Sequence, residues 1–372
     1  MKYSCLNGEM VLTLTITLSP SGCDWAKMGG CTMCGSYNCA DLREKNVENA
    51  QFHIAQFASA ISNPEIWKTT KKENRPISWI RINQEGNFTN PNEMNLFAQE
   101  TILRLASRIK GIKRVTIESR PQYITADAIN TYKNIFFDSD VELEIGMGLE
   151  AINDVVRGVC VNKYGTKDDF IKAVSLLNDN DIKPLAYIIV KPPFLTEQEA
   201  IVEAVSTAQF ATGIGFKRIS FEPMTLQPYT LVDALYQSGY YKLPWLWSVI
   251  EIAKQCNDLG IVDFGIGGVG FYPVPKSFSH NYCENEVDCN DRVVGTIIKF
   301  NKTHSISCFD GLECECFEKW QNELSIINNE SLKNKINMQL ASIDNKIDSY
   351  SPTLVGESCI VKNKTIIAGD SQ

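Results

Sequence analysis

Apolar and polar positions along the chain follow two periods. Residues 11–18, Val-Leu-Thr-Leu-Thr-Ile-Thr-Leu, alternate with period two and are rich in threonine and branched residues, which predicts a strand. Val47, Ala50, Ile54, Phe57 and Ile61 then recur every three or four residues, the stripe of a helix buried on one face. Further strands are predicted over 77–82, 114–118, 141–149, 185–190 and 217–222. Helices are predicted between them. One starts with Asn90 as N-cap, Pro91 at the first helical position and Glu93 at N3. Another follows Thr125, a third carries the stripe Phe170, Val174 and Leu177, and a fourth opens with the capping box of Thr196 and Glu199. Six strand–loop–helix units at about 30-residue spacing predict an α/β fold, a partial (β/α)6 TIM-like barrel over residues 1–230.

After about residue 230 the pattern changes, which marks residues 231–372 as a C-terminal extension suited to substrate binding or an auxiliary metal. Pro244-Trp-Leu-Trp247 opens a helix with Val249, Ile250 and Ala253 as its stripe. A glycine-rich run, 265–270, and a cysteine group, Cys283, Cys289, Cys308, Cys314 and Cys316, follow, and residues 320–350 read as polar helix. Cys283, Cys289, Cys314 and Cys316 form a candidate second metal site, for zinc or an auxiliary cluster, although their spacings fit no common template. His280 and His304 lie near this group in sequence.

In a βα barrel the chemistry sits at the C-terminal strand ends. The polar oddities of this chain fall there: a cysteine loop after the first predicted strand, Gly86 after the second, Glu118 with Arg120 after the third, Glu150 after the fourth and Lys191 after the fifth. The cysteine loop holds Cys23, Cys31 and Cys34 in a C-x7-C-x2-C spacing, with Cys39 five residues on. Dense thiolates in a loop usually hold a metal. Zinc would want four ligands, and Cys39 can supply the fourth. Three cysteines can instead hold three irons of a [4Fe–4S] cluster and leave the fourth iron open, and Gly29-Gly30 lets the backbone fold around so large a group. The catalytic-face position favours iron–sulfur.

The stretches Cys23-x7-Cys31-Thr-Met-Cys34-Gly35, Gly86-Asn-Phe88, Glu118-Ser-Arg-Pro121, Gly146-Met-Gly-Leu-Glu150, Asn162-Lys163, Lys191-Pro-Pro193, Pro244-Trp-Leu-Trp247 and Cys314-Glu-Cys316 resemble the radical S-adenosylmethionine enzymes, in the branch of the archaeosine synthase radical subunit, itself related to the catalytic subunit of elongator. The resemblance runs over most of residues 11–320. It implies that Cys23, Cys31 and Cys34 hold a [4Fe–4S] cluster whose open iron chelates S-adenosyl-L-methionine, which yields a 5′-deoxyadenosyl radical. It further implies that Gly86, Asn87 and Phe88 meet the methionine amino group, that Glu118, Arg120 and Glu150 hold ribose hydroxyls and the methionine carboxylate, and that Met33 lies beside the adenine. The chain departs from the family's pattern at Met33, where an aromatic is commoner, and at the Gly86 loop, which lacks the acidic residue after two glycines. Plainer readings exist for several positions: Glu118 with Arg120 as a barrel-mouth ion pair, Glu150 as a helix cap, Lys191 as a solvated lysine rather than a substrate contact, and Cys5, Cys160, Cys256 and Cys359 as inert thiols.

The resemblance also implies a substrate, a lysine-bearing 7-deazaguanine in tRNA, with C–N cleavage to archaeosine and an electron donor such as ferredoxin or flavodoxin. The formal net charge of −8 bears on this, since affinity for phosphates needs clustered Lys and Arg. A local patch of Lys68, Lys71, Lys72 and Arg75 is one source, and a partner subunit that supplies RNA binding is another. A small metabolite or nucleoside is the alternative substrate, and a non-catalytic zinc-stabilised binding module is the reading from another class. Met1 to Met10 lacks the pattern of a signal peptide, and no apolar run approaches the roughly 20 residues of a membrane span, so a cytoplasmic protein with no membrane association is expected. Thirteen cysteines in such a compartment point to metals before disulfides.

Overall fold

The computed structural model describes residues 1–19, 22–35, 47–73, 75–270, 274–284, 286–326, 328 and 330–347. Cys39 and Cys359 lie outside them. Strands β1 (Lys2–Leu6) and β2 (Glu9–Thr17) form a hairpin across Asn7 and Gly8, both at positive φ (51° and 81°), as a two-residue turn between twisted strands requires. From β2 onward the units are β3 (Ile77–Asn83), β4 (Arg114–Ser119), β5 (Glu142–Glu150), β6 (Lys183–Val190), β7 (Arg218–Pro223) and β8 (Phe264–Ile266), all parallel and in sequence order. The sheet thus has eight strands where the hydrophobic pattern predicts six. The two additions are β1, which pairs antiparallel, and β8, too short to show a period of its own.

Helices α1 (Val47–Ser62), α2 (Pro64–Glu73), α3 (Leu96–Ala106), α4 (Ala126–Phe136), α5 (Lys167–Asn178), α6 (Glu197–Ile214), α7 (Leu231–Gln237) and α8 (Leu246–Asp258) follow the strands, and α9 (Glu286–Thr303), α10 (Cys316–Leu324) and α11 (Leu332–Ile347) close the described chain. The predicted capping box of Thr196 and Glu199 is present on α6, and Thr125 caps α4. Helix α3 departs from expectation. It starts at Leu96 under an Asn95 cap, while residues 90–94 are turns, because the Glu93 carboxylate serves neighbouring loops instead. Helix α9 packs against β1, β2 and β8, so it spans both edges of the curled sheet. None of the described helices is long and apolar enough to cross a membrane.

The barrel is not filled by apolar side chains alone. In the N-terminal half of the strands, Glu144 accepts from Arg218 (2.9 and 2.7 Å), Arg114 (3.3 Å) and Thr116 (2.8 Å). The guanidiniums of Arg81 and Arg218 each stand 4.6 Å over the Trp79 ring. Burial opposes the Glu144 charge, but Arg218 and Arg114 hold its carboxyl down at about 2. A second apolar cluster, with Val156, Phe194, Leu231, Tyr241, Ile336 and Leu340, is built from the loops after β5 and β6 together with α7 and α11, and Cys31 and Met33 pack against it.

Candidate functional site

The cysteine loop leaves β2 and turns through Gly29 (φ 120°) and Gly30 (φ 67°), a conformation that side chains rarely adopt. A Cβ on Gly30 would stand 2.9 Å from the Ala26 Cα. Four hydrogen bonds join the loop to the segment after β5: Thr32 N–H to the Val161 carbonyl (2.9 Å), Thr32 Oγ1 to the Cys160 carbonyl (2.7 Å), Asn162 Nδ2 to the Gly30 carbonyl (2.7 Å) and Trp25 Nε1 to the Asn162 carbonyl (2.8 Å). A single π turn, Val156–Cys160, opens that segment and ends at the Cys160 carbonyl that Thr32 Oγ1 reaches. Val232 N–H donates to the Thr32 carbonyl at 3.1 Å, and Gln227 accepts from Gly35 N–H. Cys23, Cys31 and Cys34 are half-buried on this frame. The apolar surroundings of Cys31 push its thiol up to about 12, against the pull of the Lys163 ammonium.

A buried carboxylate that the sequence pattern assigns to a helix cap is the hub beside this loop. Glu93 accepts from Asp24 N–H (3.0 Å) in the cysteine loop, from Asn87 N–H (2.5 Å) and the Asn87 amide (2.8 Å to each oxygen), and from the Asn90 amide (2.8 Å). Gly86 has to be glycine here, because a Cβ would meet the Glu93 carboxylate at 2.6 Å. Phe88 is buried, and its N–H donates to the Glu118 carbonyl (2.8 Å). Arg120 ion-pairs with Glu93 at 3.6 Å and donates to the Tyr123 hydroxyl at 3.1 Å, so the plainer alternative of a barrel-mouth pair with Glu118 gives way to a pair with Glu93. Its Nε is buried with no hydrogen-bond partner among the described residues.

Glu118 accepts instead from the Tyr187 hydroxyl (3.0 Å), and burial pushes its carboxyl up to about 7. Glu150 ends β5 at φ 62° and binds the Lys163 ammonium at 2.9 Å, so it is an ion-pair partner rather than a helix cap. Burial works against the Lys163 charge, yet Glu150 and Cys31 keep its pKa above the ordinary lysine range. Backbone strain of this kind at strand ends is the usual mark of a site held for function. Met33 is half-buried against the second apolar cluster. Lys191 is buried in an ion pair with Glu197 at 2.5 Å, not solvated.

The structure therefore gathers Asp24 of the cysteine loop, Gly86, Asn87 and Arg120 around Glu93, and Glu150, Cys31 and Cys23 around Lys163. Glu93, which the sequence pattern places at a helix start, and Lys163 and Tyr187, to which it gives no role, are partners at this site. Cys5, Cys160 and Cys256 are buried free thiols, as expected. In the extension, Cys283, Cys289, Cys314 and Cys316 converge, with their sulfurs all within 4.8 Å of one another. His280 bonds the Phe278 carbonyl and the His304 ring stacks on Phe300.

Half-buried thiols, a buried arginine and buried carboxylates thus lie together at the strand ends of the curled sheet. No family model matches the sequence. A protein of Methanocaldococcus jannaschii is 32% identical over 319 residues, 85% of this chain and 83% of its own length. Archaeosine synthase subunit beta of Methanosarcina acetivorans is 29% identical over 326 residues, 86% of this chain and 87% of its own. The solved structure of an N-terminally truncated Elp3 of Methanocaldococcus infernus is 13% identical, with a TM-score of 0.49 over 82% of this chain and 64% of that one. The chain belongs to one family with the Methanocaldococcus jannaschii protein and is similar over most of its length to archaeosine synthase subunit beta.

Proposed function

We propose that Cys23, Cys31 and Cys34 hold a [4Fe–4S] cluster and that S-adenosyl-L-methionine binds at its open iron, in the pocket bounded by Gly86, Asn87, Phe88, Glu118, Arg120 and Glu150. The residues present suit these groups: three thiols on a glycine turn, a glycine at residue 86 where a side chain cannot fit, and an arginine whose buried Nε has no hydrogen-bond partner among the described residues. When bound, the pair supplies one-electron cleavage of the sulfonium C–S bond to methionine and a 5′-deoxyadenosyl radical that abstracts hydrogen from an unactivated C–H. The chain's own residues position and shield. Glu93 fixes the Gly86 loop and the start of the cysteine loop in one register, Arg120 offers positive charge to a carboxylate, and Lys163 beside Cys31 balances thiolate charge. Met33 offers an apolar face to the adenine.

The substrate in this reading is a lysine-modified 7-deazaguanine in tRNA, cleaved at a C–N bond to archaeosine, with a ferredoxin or flavodoxin as electron donor. The observation that carries it is the relation to archaeosine synthase subunit beta over 86% of the chain. In this reading the net charge of −8 leaves most of the RNA affinity for a basic partner subunit to supply. The same charge favours a second reading, a free nucleoside or small metabolite as substrate. The test is anaerobic reconstitution followed by measurement of 5′-deoxyadenosine with modified tRNA, unmodified tRNA and the free modified nucleoside. Product with modified tRNA alone, strengthened by a basic partner subunit, supports the tRNA reading. Turnover of the free nucleoside with none on tRNA overturns it.

A further inference from the structure

The second cysteine group can be assigned from its geometry. We propose that Cys283, Cys289, Cys314 and Cys316 form a mononuclear zinc site that fastens the C-terminal helices to the barrel, independently of the cluster on the first loop. A Zn–S bond of about 2.3 Å at a tetrahedral centre puts neighbouring sulfurs about 3.8 Å apart. Here Cys289 and Cys316 Sγ stand 3.7 Å apart, and all four sulfurs lie within 4.8 Å. A cubane cluster, with an iron under each thiolate, would drive the sulfurs well beyond that spacing. Size therefore decides for a single ion, and four thiolates around one ion are the closed set of a structural zinc site. All four cysteines are free of disulfides, and three are buried.

The surroundings are arranged for thiolates. Trp247 Nε1 donates to Cys316 Sγ at 3.2 Å, and Asn281 Nδ2 donates to Cys289 Sγ at 3.4 Å. Asn281 is aimed by its other bonds: its Oδ1 accepts from Trp247 N–H (3.3 Å), and its own N–H donates to Asn290 Oδ1 (2.6 Å). Donors of this kind orient ligands and spread their charge around a bound metal. Cys289 lies in the first turn of α9 and Cys316 opens α10, so both helix N-termini face the thiolates. Through Trp247 the site reaches α8, and α9 in turn covers both edges of the sheet. Cys308 stands apart, 3.6 Å from the Thr303 hydroxyl.

The test uses the full chain with Cys23→Ala, Cys31→Ala and Cys34→Ala combined, purified without reconstitution, so that a failure of the cluster reading leaves it untouched. Metal analysis should find one zinc per chain and no sulfide. Adding Cys289→Ser and Cys314→Ser should remove at least nine-tenths of that zinc and lower the melting temperature. Should those variants fail to fold, cobalt exchange into the unaltered extension is the second reading, expected to give the intense visible bands of tetrahedral cobalt thiolate. A mercurial titration should release one zinc as four thiols react. Zinc well below one per chain, or iron with labile sulfide in its place, would overturn the proposal.

Discussion

Glu93 and Asn87 are joined three times, by the Asn87 N–H to Oε2 (2.5 Å) and by the Asn87 amide to both carboxylate oxygens (2.8 Å each). The same carboxylate accepts from Asp24 N–H, seven residues before Cys31 in its loop, and pairs with Arg120. One buried charge thus sets the register of three strand ends. Glu93→Ala leaves several buried donors without an acceptor, at about 1–3 kcal/mol each. The variant should lose about 3 kcal/mol or more in chemical denaturation and retain less than half the iron after reconstitution. A variant of unchanged stability and iron content would remove Glu93 from its place at the hub.

Gly148 offers a sharper probe of the Glu150–Lys163 pair. A Cβ at that position would stand 2.3 Å from both Glu150 Oε1 and Lys163 Nζ, whereas one at Gly158 meets nothing within 4 Å. Gly148→Ala should therefore split the pair, cost about 3 kcal/mol of stability and weaken S-adenosyl-L-methionine binding at least tenfold by equilibrium dialysis. Gly158→Ala is the control and should bind as the parent does. Equal binding by both variants would show that the pair lies outside the cofactor pocket.

Much of this frame was legible in the sequence, and the reasons divide cleanly. Period-two runs such as 11–18 and the Thr196–Glu199 box report local preferences, and the structure keeps both. The hairpin before β2 carried a readable Asn7-Gly8 signal that the six-unit pattern overshadowed. Glu93 misled because Asn90-Pro91-x-Glu93 is a sound local start signal, yet three loops compete for the same carboxylate and tertiary contact wins. The convergence of Cys283 with Cys316 depends on the path of α9 between them, which no spacing rule encodes.

The Glu118 carboxyl titrates in the neutral range, and the sign of its effect follows. Burial raises it from 4.5 to about 7, opposed by the Tyr187 hydroxyl and with Glu222, Arg81 and Glu85 as the other charges that act on it. The folded state holds this proton more tightly than the unfolded chain does. Its contribution to stability is therefore fully present below about 4.5 and is lost as the pH rises through about 7. Glu118→Gln should remove that loss, so the denaturation midpoint of the variant should gain on the parent between pH of about 5 and about 8. Parallel pH profiles would count against a titrating Glu118.

Cys39 separates the two metal readings of the first loop. It lies outside the described residues, and a four-thiolate zinc site would need it while a three-cysteine cluster would not. Cys39→Ser should keep the full iron and sulfide content, whereas the same change at Cys23, Cys31 or Cys34 should abolish it. Loss of metal from Cys39→Ser comparable to that from the other three would revive the four-ligand site.

Lys191 poses a choice between substrate contact and scaffold that stability measurements can make. Its ammonium lies 2.5 Å from Glu197, both side chains are nearly sealed from solvent, and the Lys191 carbonyl accepts from the Tyr241 hydroxyl at 2.7 Å. Glu197 Oε1 in turn accepts from Trp245 N–H (2.9 Å) and Ser248 Oγ (2.6 Å) at the start of α8, so the pair ties the end of β6 to the extension. Removing one partner of a buried pair strands the other charge, at about 3–5 kcal/mol. Lys191→Met should destabilise the chain by that order, and a second change, Glu197→Gln, should recover most of the loss because the amide oxygen still accepts from Trp245 and Ser248. A structural lysine predicts that restored stability restores turnover with an unchanged KM. If Lys191→Met instead folds as stably as the parent while KM for the substrate rises, Lys191 acts on the substrate and the ion pair is incidental.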